Sequence, residues 1–298
     1  MTNDQAAGMW WGLFIGDAMG VPLEFTKPNY GKTVTTFTEG GVHKAAKGEF
    51  SDDGAMALAI ADAYITQGRF CGSTIQQNFI DWMETGVFGT RPGEPAWDIG
   101  MTVERSLKAV RNIQRPFAGS TMADTSGNGC IMRLAPCIIW NRNSLSAAIG
   151  ESVAQALLTH GSSDCITYTA ALAHELWEGR PLPQYDHLRD RPINNSGYVA
   201  DTYASAWYSV RTTKTFHSAI VDAINRGEDA DTVGAVTGMI AGRIYGRKNL
   251  NAQIVSGAAV QANFGIDADL YANRLQFGGL IGPLGTDDWF INLSQWNG

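Results

Sequence analysis

Asp229-Ala230-Asp231-Thr232-Val233-Gly234-Ala235-Val236-Thr237-Gly238-Met239-Ile240-Ala241-Gly242 carries the strongest architectural signal in the chain. Glycine recurs there at every fourth position, 234, 238 and 242, and again at Gly246. The same spacing occurs near the N-terminus at Gly8, Gly12, Gly16 and Gly20. Residues four apart line one face of a helix. Yet a glycine inside a helix costs about 1 kcal/mol relative to alanine. A whole stripe needs an offsetting gain, and the natural one is close approach of a second backbone, as small-residue stripes allow between membrane helices. Asp17 and Arg243 beside the stripes argue against a membrane here. The two stripes therefore predict two tightly packed central helices, one leading to Glu24 and one starting at Asp229 to Thr232. The competing reading leaves the first stripe partly as loop, since Gly20-Val21-Pro22 must end any helix.

Helical periodicity continues outward. Gly54 to Thr66 spaces Met56, Ile60 and Tyr64 by fours, and Met101 to Ile113 carries Val103, Leu107 and Val110. Further helices are predicted at 146–158, 163–178, 199–211, 215–226, 232–246 and 252–262. Alternating strand patterns are scarce, with Lys32 to Thr38 the best candidate. Glycine and proline punctuate residues 84–100 and 179–198, which read as long loops of the kind that carry recognition. The expectation is an all-α protein, one compact domain over residues 1–298, with no low-complexity linker to divide it.

Bulk properties narrow the function classes. The chain has 298 residues, 44% hydrophobic and 10% aromatic, ample for a sizeable core. A net charge of −7 excludes a broad nucleic-acid footprint. Cys71, Cys130, Cys137 and Cys165 show no zinc-type spacing and read as reduced thiols. No run of about 18 apolar residues occurs, and Met1-Thr2-Asn3-Asp4 lacks a basic secretory start. A cytoplasmic protein without a membrane span is expected.

Two carboxylate clusters point to chemistry. Ser51-Asp52-Asp53 and Gly227-Glu228-Asp229-Ala230-Asp231-Thr232 each precede a helix-forming run. Carboxylates and hydroxyls there often do no more than cap the helix, since they satisfy free N–H groups and suit the positive end of the dipole. A cap needs one acceptor, however, and each cluster concentrates at least three. Together they supply enough oxygen ligands for hard divalent cations. The residues alone leave cap and metal site both open.

Five motifs in order then resemble one family. They are Gly16-Asp17-Ala18-Met19-Gly20-Val21-Pro22-Leu23-Glu24, Phe50-Ser51-Asp52-Asp53, Ser126-Gly127-Asn128-Gly129 running on to Pro136, Ser196-Gly197-Tyr198-Val199-Ala200-Asp201-Thr202, and the 227–232 cluster. The ordered set, over about residues 8 to 250, resembles the ADP-ribosylglycohydrolase family, including its dinitrogenase reductase-activating members. The resemblance implies an all-α fold with two Mg²⁺ or Mn²⁺ ions, held by Ser51, Asp52, Asp53, Asp229, Asp231 and Thr232. It implies hydrolysis that removes ADP-ribose from a modified protein side chain, with an arginine linkage favoured. Glu24 resembles the family's carboxylate beside the metals, and Asp98, in Trp97-Asp98-Ile99-Gly100, the acid over the scissile ribose. One of the two would activate the water.

Ser126, Gly127, Asn128 and Gly129 would grip the diphosphate, where glycines allow close approach and N–H groups point outward. His160 resembles a position near the phosphates, and Tyr198 could stack on adenine. The bland readings are a surface Glu24, Asp98 as a helix cap, an ordinary turn at 126–129, His160 as a C-terminal cap and Tyr198 in the core. Two departures stand out: Ser51 and Gly54 occupy positions where the family usually carries threonine. Two other functions fit the same residues. One is a non-catalytic ADP-ribose-binding protein, the other a dinuclear nucleotide phosphohydrolase.

Overall fold

Helix α1 (Asn3–Gly20) starts from a capping box in which the Thr2 hydroxyl accepts the Gln5 amide at 3.2 Å, and the Gln5 side chain accepts the Thr2 amide at 3.0 Å. Every residue from Gly8 to Gly20 is buried. Apolar side chains surround the helix on all sides, which is the pattern of a helix at the centre of a fold. This computed structural model describes residues 1–28, 33–113, 117–250 and 274–275. Among them it has eleven α-helices and no strand.

The partner of α1 is α11 (Ala230–Tyr245), and the glycine stripes are their seam. A Cβ added to Gly12 would lie 2.0 Å from the Gly238 carbonyl oxygen, and one on Gly16 would lie 2.0 Å from that of Gly234. At Gly8 the Gly242 oxygen would be 2.3 Å away. Rising numbers on one helix meet falling numbers on the other, so the pair is antiparallel. The first stripe is helical through Gly20, which removes the loop alternative; Val21–Leu23 continue as a 3₁₀ turn with Pro22 in its first turn. Gly246 ends α11 at φ +75° and still lies against α1: a Cβ on Gly8 would be 2.8 Å from its carbonyl carbon, and a Cβ on Gly246 itself 2.2 Å from the Asp4 carboxylate.

Around this pair lie α2 (Asp52–Gln67), α3 (Gly72–Thr85), α4 (Met101–Ile113), α5 (Ala135–Trp140), α6 (Leu145–Leu157), α7 (Ser163–Glu178), α8 (Asp186–Arg189), α9 (Val199–Thr212) and α10 (Phe216–Ile224). α2 and α5 flank α1, while α9 and α10 flank α11. Among the described residues, the helices predicted from periodicity are present, with ends shifted by two residues at most. Three others were not anticipated, one of them α8, which lies inside the 179–198 stretch read as a loop. α3 opens with Gly-Ser-Thr and carries glutamines and an asparagine, which mask its buried Ile75 and Phe79. α5 is short and begins next to Pro136. The strand expected at Lys32 to Thr38 does not form over 33–38, because the Asn225 side chain takes both the N–H and the C=O of Val34, each at 2.8 Å. The helix predicted at 252–262 lies outside the described residues. Among those described, no helix is long and apolar enough to cross a membrane.

Candidate active site

The antiparallel seam brings the C-terminal end of α1 to the N-terminal end of α11, and Asp17 ties the start of α2 to the same place. One Asp17 oxygen accepts the Ser51 amide and hydroxyl, each at 2.9 Å, and the other accepts the Gly54 amide at 2.9 Å. Gly54 has its own reason. A Cβ there would sit 2.5 Å from the Phe50 ring and 2.8 Å from Phe14. The segment after α1 is joined to the segment before α11 by the Phe25 amide on the Glu228 carbonyl at 2.7 Å and the Glu228 amide on the Thr26 carbonyl at 2.8 Å. Gly227 makes this possible, at φ +66° and with no room for a Cβ against the Thr26 carbonyl.

These ties converge the two carboxylate clusters. One oxygen each from Asp17, Asp53 and Asp231 lies within 4.8 Å of the others, and so do oxygens of Glu24, Asp229 and Asp231. Asp231 belongs to both groups. The Ser51 hydroxyl is 3.2 Å and the Thr232 hydroxyl 3.3 Å from Asp53 Oδ2. Neither Ser51 before α2 nor Asp229 before α11 uses its side chain to cap the helix it precedes. The capping reading therefore fails for both residues, and their oxygens are left to face inward. Asp53 Oδ1 and Asp231 Oδ1 are buried with no hydrogen-bond partner.

Burial first, and then mutual repulsion, pushes the carboxyls of Asp52, Asp53 and Asp231 well above the usual range. Burial likewise raises Asp17 to about 7 against the lowering effect of its hydrogen bonds, and raises Glu24, with help from the Asp98 charge, to about 10. Such a cluster is costly without cations and suited to them, since buried charges are otherwise unpaired. The residues present fit a hard-cation centre.

Glu24 is buried rather than a surface residue. Its Oε2 is 2.7 Å from His43 Nε2, and that same nitrogen is 3.2 Å from Asp98 Oδ1. Asp98 sits in the left-handed region at φ +58°, and its Oδ2 is buried without a partner. The loop before it is fixed by Arg91, which pairs with Glu49 at 2.7 Å and lies 4.4 Å over the Trp97 ring.

The Ser126–Gly129 turn forms the wall beside Asp229. Asn128 Nδ2 donates to Asp229 Oδ2 at 2.7 Å and contacts the Thr202 hydroxyl at 2.9 Å. The free-amide cradle expected here is not formed by residues 126–128. Their N–H groups are taken by the carbonyls of Ala123, Thr125 and Gly197. The glycines face His160 instead: Cβ atoms on Gly127 and Gly129 would meet its ring at 3.3 and 2.8 Å. His160 is buried, lies 2.8 Å from the Thr159 hydroxyl through Nδ1, and is held neutral by burial, which lowers its pKa to about 3. Tyr198 precedes α9 and is half-buried. Its hydroxyl donates to Asp164 at 2.7 Å, and the Arg191 guanidinium lies 5.1 Å from its ring centre. The Ser126 hydroxyl lies 2.8 Å from both the Ala123 carbonyl and the Ser162 hydroxyl.

The structure thus brings Glu24, Ser51, Asp53, Asp229, Asp231 and Thr232 together, with Asp52 toward the Asp98–Gly100 loop. Sequence reasoning missed two residues. Asp17 was legible as a lone charge inside a glycine-striped helix. His43, in a loop after Gly40-Gly41, carries no spacing signal.

The profile of the ADP-ribosylglycohydrolase family matches residues 1–191 and 174–275. An ADP-ribosylarginine hydrolase Tri1 of Pseudomonas putida (strain GB-1) is 35% identical over 266 residues, covering 82% of this chain and 71% of that protein. An ADP-ribosyl-(dinitrogen reductase) glycohydrolase of Rhodospirillum rubrum is 28% identical, covering 82% of this chain and 87% of its own. The solved structure of an ADP-ribosylglycohydrolase-related protein complex has the same fold at a TM-score of 0.78, with 24% identity, covering 93% of this chain and 98% of the other. A family match along most of the chain and a hydrolase relative above 30% identity lead to one conclusion: this protein is an enzyme of the ADP-ribosylglycohydrolase family.

Proposed function

We propose that this enzyme is a metal-dependent hydrolase that releases ADP-ribose from a modified protein side chain, with an arginine linkage as the favoured substrate. The observation that carries the proposal is the pair of carboxylate groups sharing Asp231, with Asp53 Oδ1 and Asp231 Oδ1 buried and unpartnered. Two overlapping groups suit two Mg²⁺ or Mn²⁺ ions. Ser51, Asp52, Asp53, Asp229, Asp231 and Thr232 would hold them, with Asp17 fixing Ser51 and the start of α2. When bound, such ions supply Lewis acidity toward the ribose hydroxyls and water.

The chain's own residues account for the remaining steps. Asp98 Oδ2 is the free buried acceptor that takes the proton from the attacking water. Water adds to the anomeric carbon as the bond to the side-chain nitrogen breaks with oxocarbenium character, and the released nitrogen takes up the proton that Asp98 accepted, which leaves Asp98 ionised again. Asn128 holds Asp229 in place, and the Ser126–Gly129 turn, braced by His160 and flanked by Tyr198, walls the substrate side. A site where carboxylates outnumber cations suits a guanidinium leaving group, as does the arginine specificity named for the Pseudomonas relative.

The test is to incubate the full chain with arginine-linked and serine-linked ADP-ribosylated proteins, with Mg²⁺, Mn²⁺ or EDTA, and to identify the products by mass spectrometry. Free ADP-ribose only with metal, and from the arginine linkage first, is expected. AMP would indicate phosphohydrolysis; no product alongside tight ADP-ribose binding would indicate a binder. Full activity in EDTA would remove the metals from the account.

A further inference from the structure

We propose that His43 is the positioning residue for Asp98, its Nε2–H spanning Asp98 and Glu24 so that Asp98 presents its free oxygen to the reaction. This inference rests on the hydrolase reading above and adds a residue that reading does not need. Once bound cations hold Glu24 ionised, both neighbours are carboxylates, which only accept, so the single nitrogen 2.7 and 3.2 Å from their oxygens must carry the hydrogen. The ring is therefore the Nε2–H form. By occupying Asp98 Oδ1, His43 leaves Oδ2 as the one unpartnered acceptor of that side chain. This is the geometry of an orienting group behind a base.

Asp98 also needs holding. An L-residue at φ +58° persists only where its surroundings impose it. His43 is equipped to do so because it is held in turn. Its carbonyl accepts from Arg91 at 3.2 Å, and its ring lies 5.3 Å from the Trp97 ring and 6.2 Å from Phe25. Trp97 precedes Asp98, and its indole N–H contacts the Thr90 hydroxyl at 3.3 Å. On the other side, Glu24 lies within 4.8 Å of Asp229 and Asp231. His43 thus joins the carboxylates at the metal centre to the loop that carries the base, and sets the distance between them.

Two variants and one spectrum test this. His43→Leu keeps an apolar body of similar reach and removes the donor; His43→Gln keeps an N–H donor. With arginine-linked substrate, His43→Leu should lower kcat about 10- to 100-fold, the range for removing a group that orients another. KM and calorimetric ADP-ribose affinity should stay unchanged, and His43→Gln should recover most of the lost kcat. Nitrogen-15 spectra of the Mg²⁺-loaded wild type should show a protonated Nε2 that shifts in Asp98→Asn. Wild-type kcat in His43→Leu, equal loss in both variants, or an unprotonated Nε2 would each overturn the proposal. A wild type that releases no ADP-ribose would overturn the hydrolase reading instead, and the spectrum would still decide the clamp.

Discussion

Replacing Gly12 by alanine adds a single methyl to α1, and its cost follows from the seam. The new Cβ would lie 2.0 Å from the Gly238 carbonyl oxygen and 2.6 Å from its carbonyl carbon. Ordinary contacts begin near 3.5 Å, so the backbones must part by about 1 Å or more. No side-chain rotamer can relieve a clash between two backbones. The overpacking cost is therefore at the top of the usual range, about 3 kcal/mol, and the better helix propensity of alanine offsets about 1. With an unfolding entropy of about 2.1 cal/mol/K per residue, a net loss of about 2 kcal/mol lowers Tm by about 3 °C in a chain of 298 residues.

Gly150 in α6 is the internal control: nothing lies within 4 Å of its Cβ position, so Gly150→Ala should raise stability by about 0.5–1 kcal/mol. The assay is thermal and urea unfolding of both variants beside wild type. Position along the seam adds a second readout. Gly16→Ala, next to Asp17, should weaken Mn²⁺ binding as well as stability, whereas Gly8→Ala, at the far end, should affect stability alone. Gly12→Ala melting at or above wild type, while Gly150→Ala behaves as expected, would refute the packed-backbone argument.

Other outcomes follow from the site. Asp231→Ala should abolish both hydrolysis and high-affinity Mn²⁺ binding, since Asp231 belongs to both carboxylate groups; calorimetric titration with Mn²⁺ decides it, and retained binding would refute the shared-ligand role. Asp98→Asn keeps the shape but is a far weaker base, so turnover should fall about 10²–10⁴-fold while ADP-ribose affinity holds; loss of both together would make Asp98 a binding residue. Metal-free protein should lose stability as pH rises. The Asp17 and Glu24 carboxyls are raised to about 7 and about 10, so the fold favours their protonated forms. That contribution is whole below about pH 4, where the unfolded chain is also protonated, and is lost as pH climbs through 7 toward 10. Melting in EDTA from pH 5 to 9 should show the fall, and Mn²⁺ should reverse it at the alkaline end. A flat profile would show that the cluster is not desolvated as described.

By itself, the sequence determined the helical class, the two central helices and the metal-ligand candidates. Each of these rests on local periodicity or on composition: glycine every fourth residue, apolar residues at helical spacing, carboxylates concentrated before two helices. Helix α3 escaped because its polar positions dilute the same signal, and the strand expected near Val34 failed because a side chain distant in sequence, Asn225, took its backbone groups. How the ends of helices meet is set by long-range packing. The antiparallel seam sets α1's last turn beside α11's first, and so turns Asp17 from a charge in a helix into the tie that aligns Ser51 and Gly54. It also turned the Ser126–Gly129 glycines toward the His160 ring. His43 had no signal at all, because its role exists only where Glu24 and Asp98, far apart along the chain, come within reach of one nitrogen. Local pattern reports which face a residue turns to its helix; which distant oxygen it meets is a property of packed backbones, and backbones without side chains pack in the one register their glycines allow.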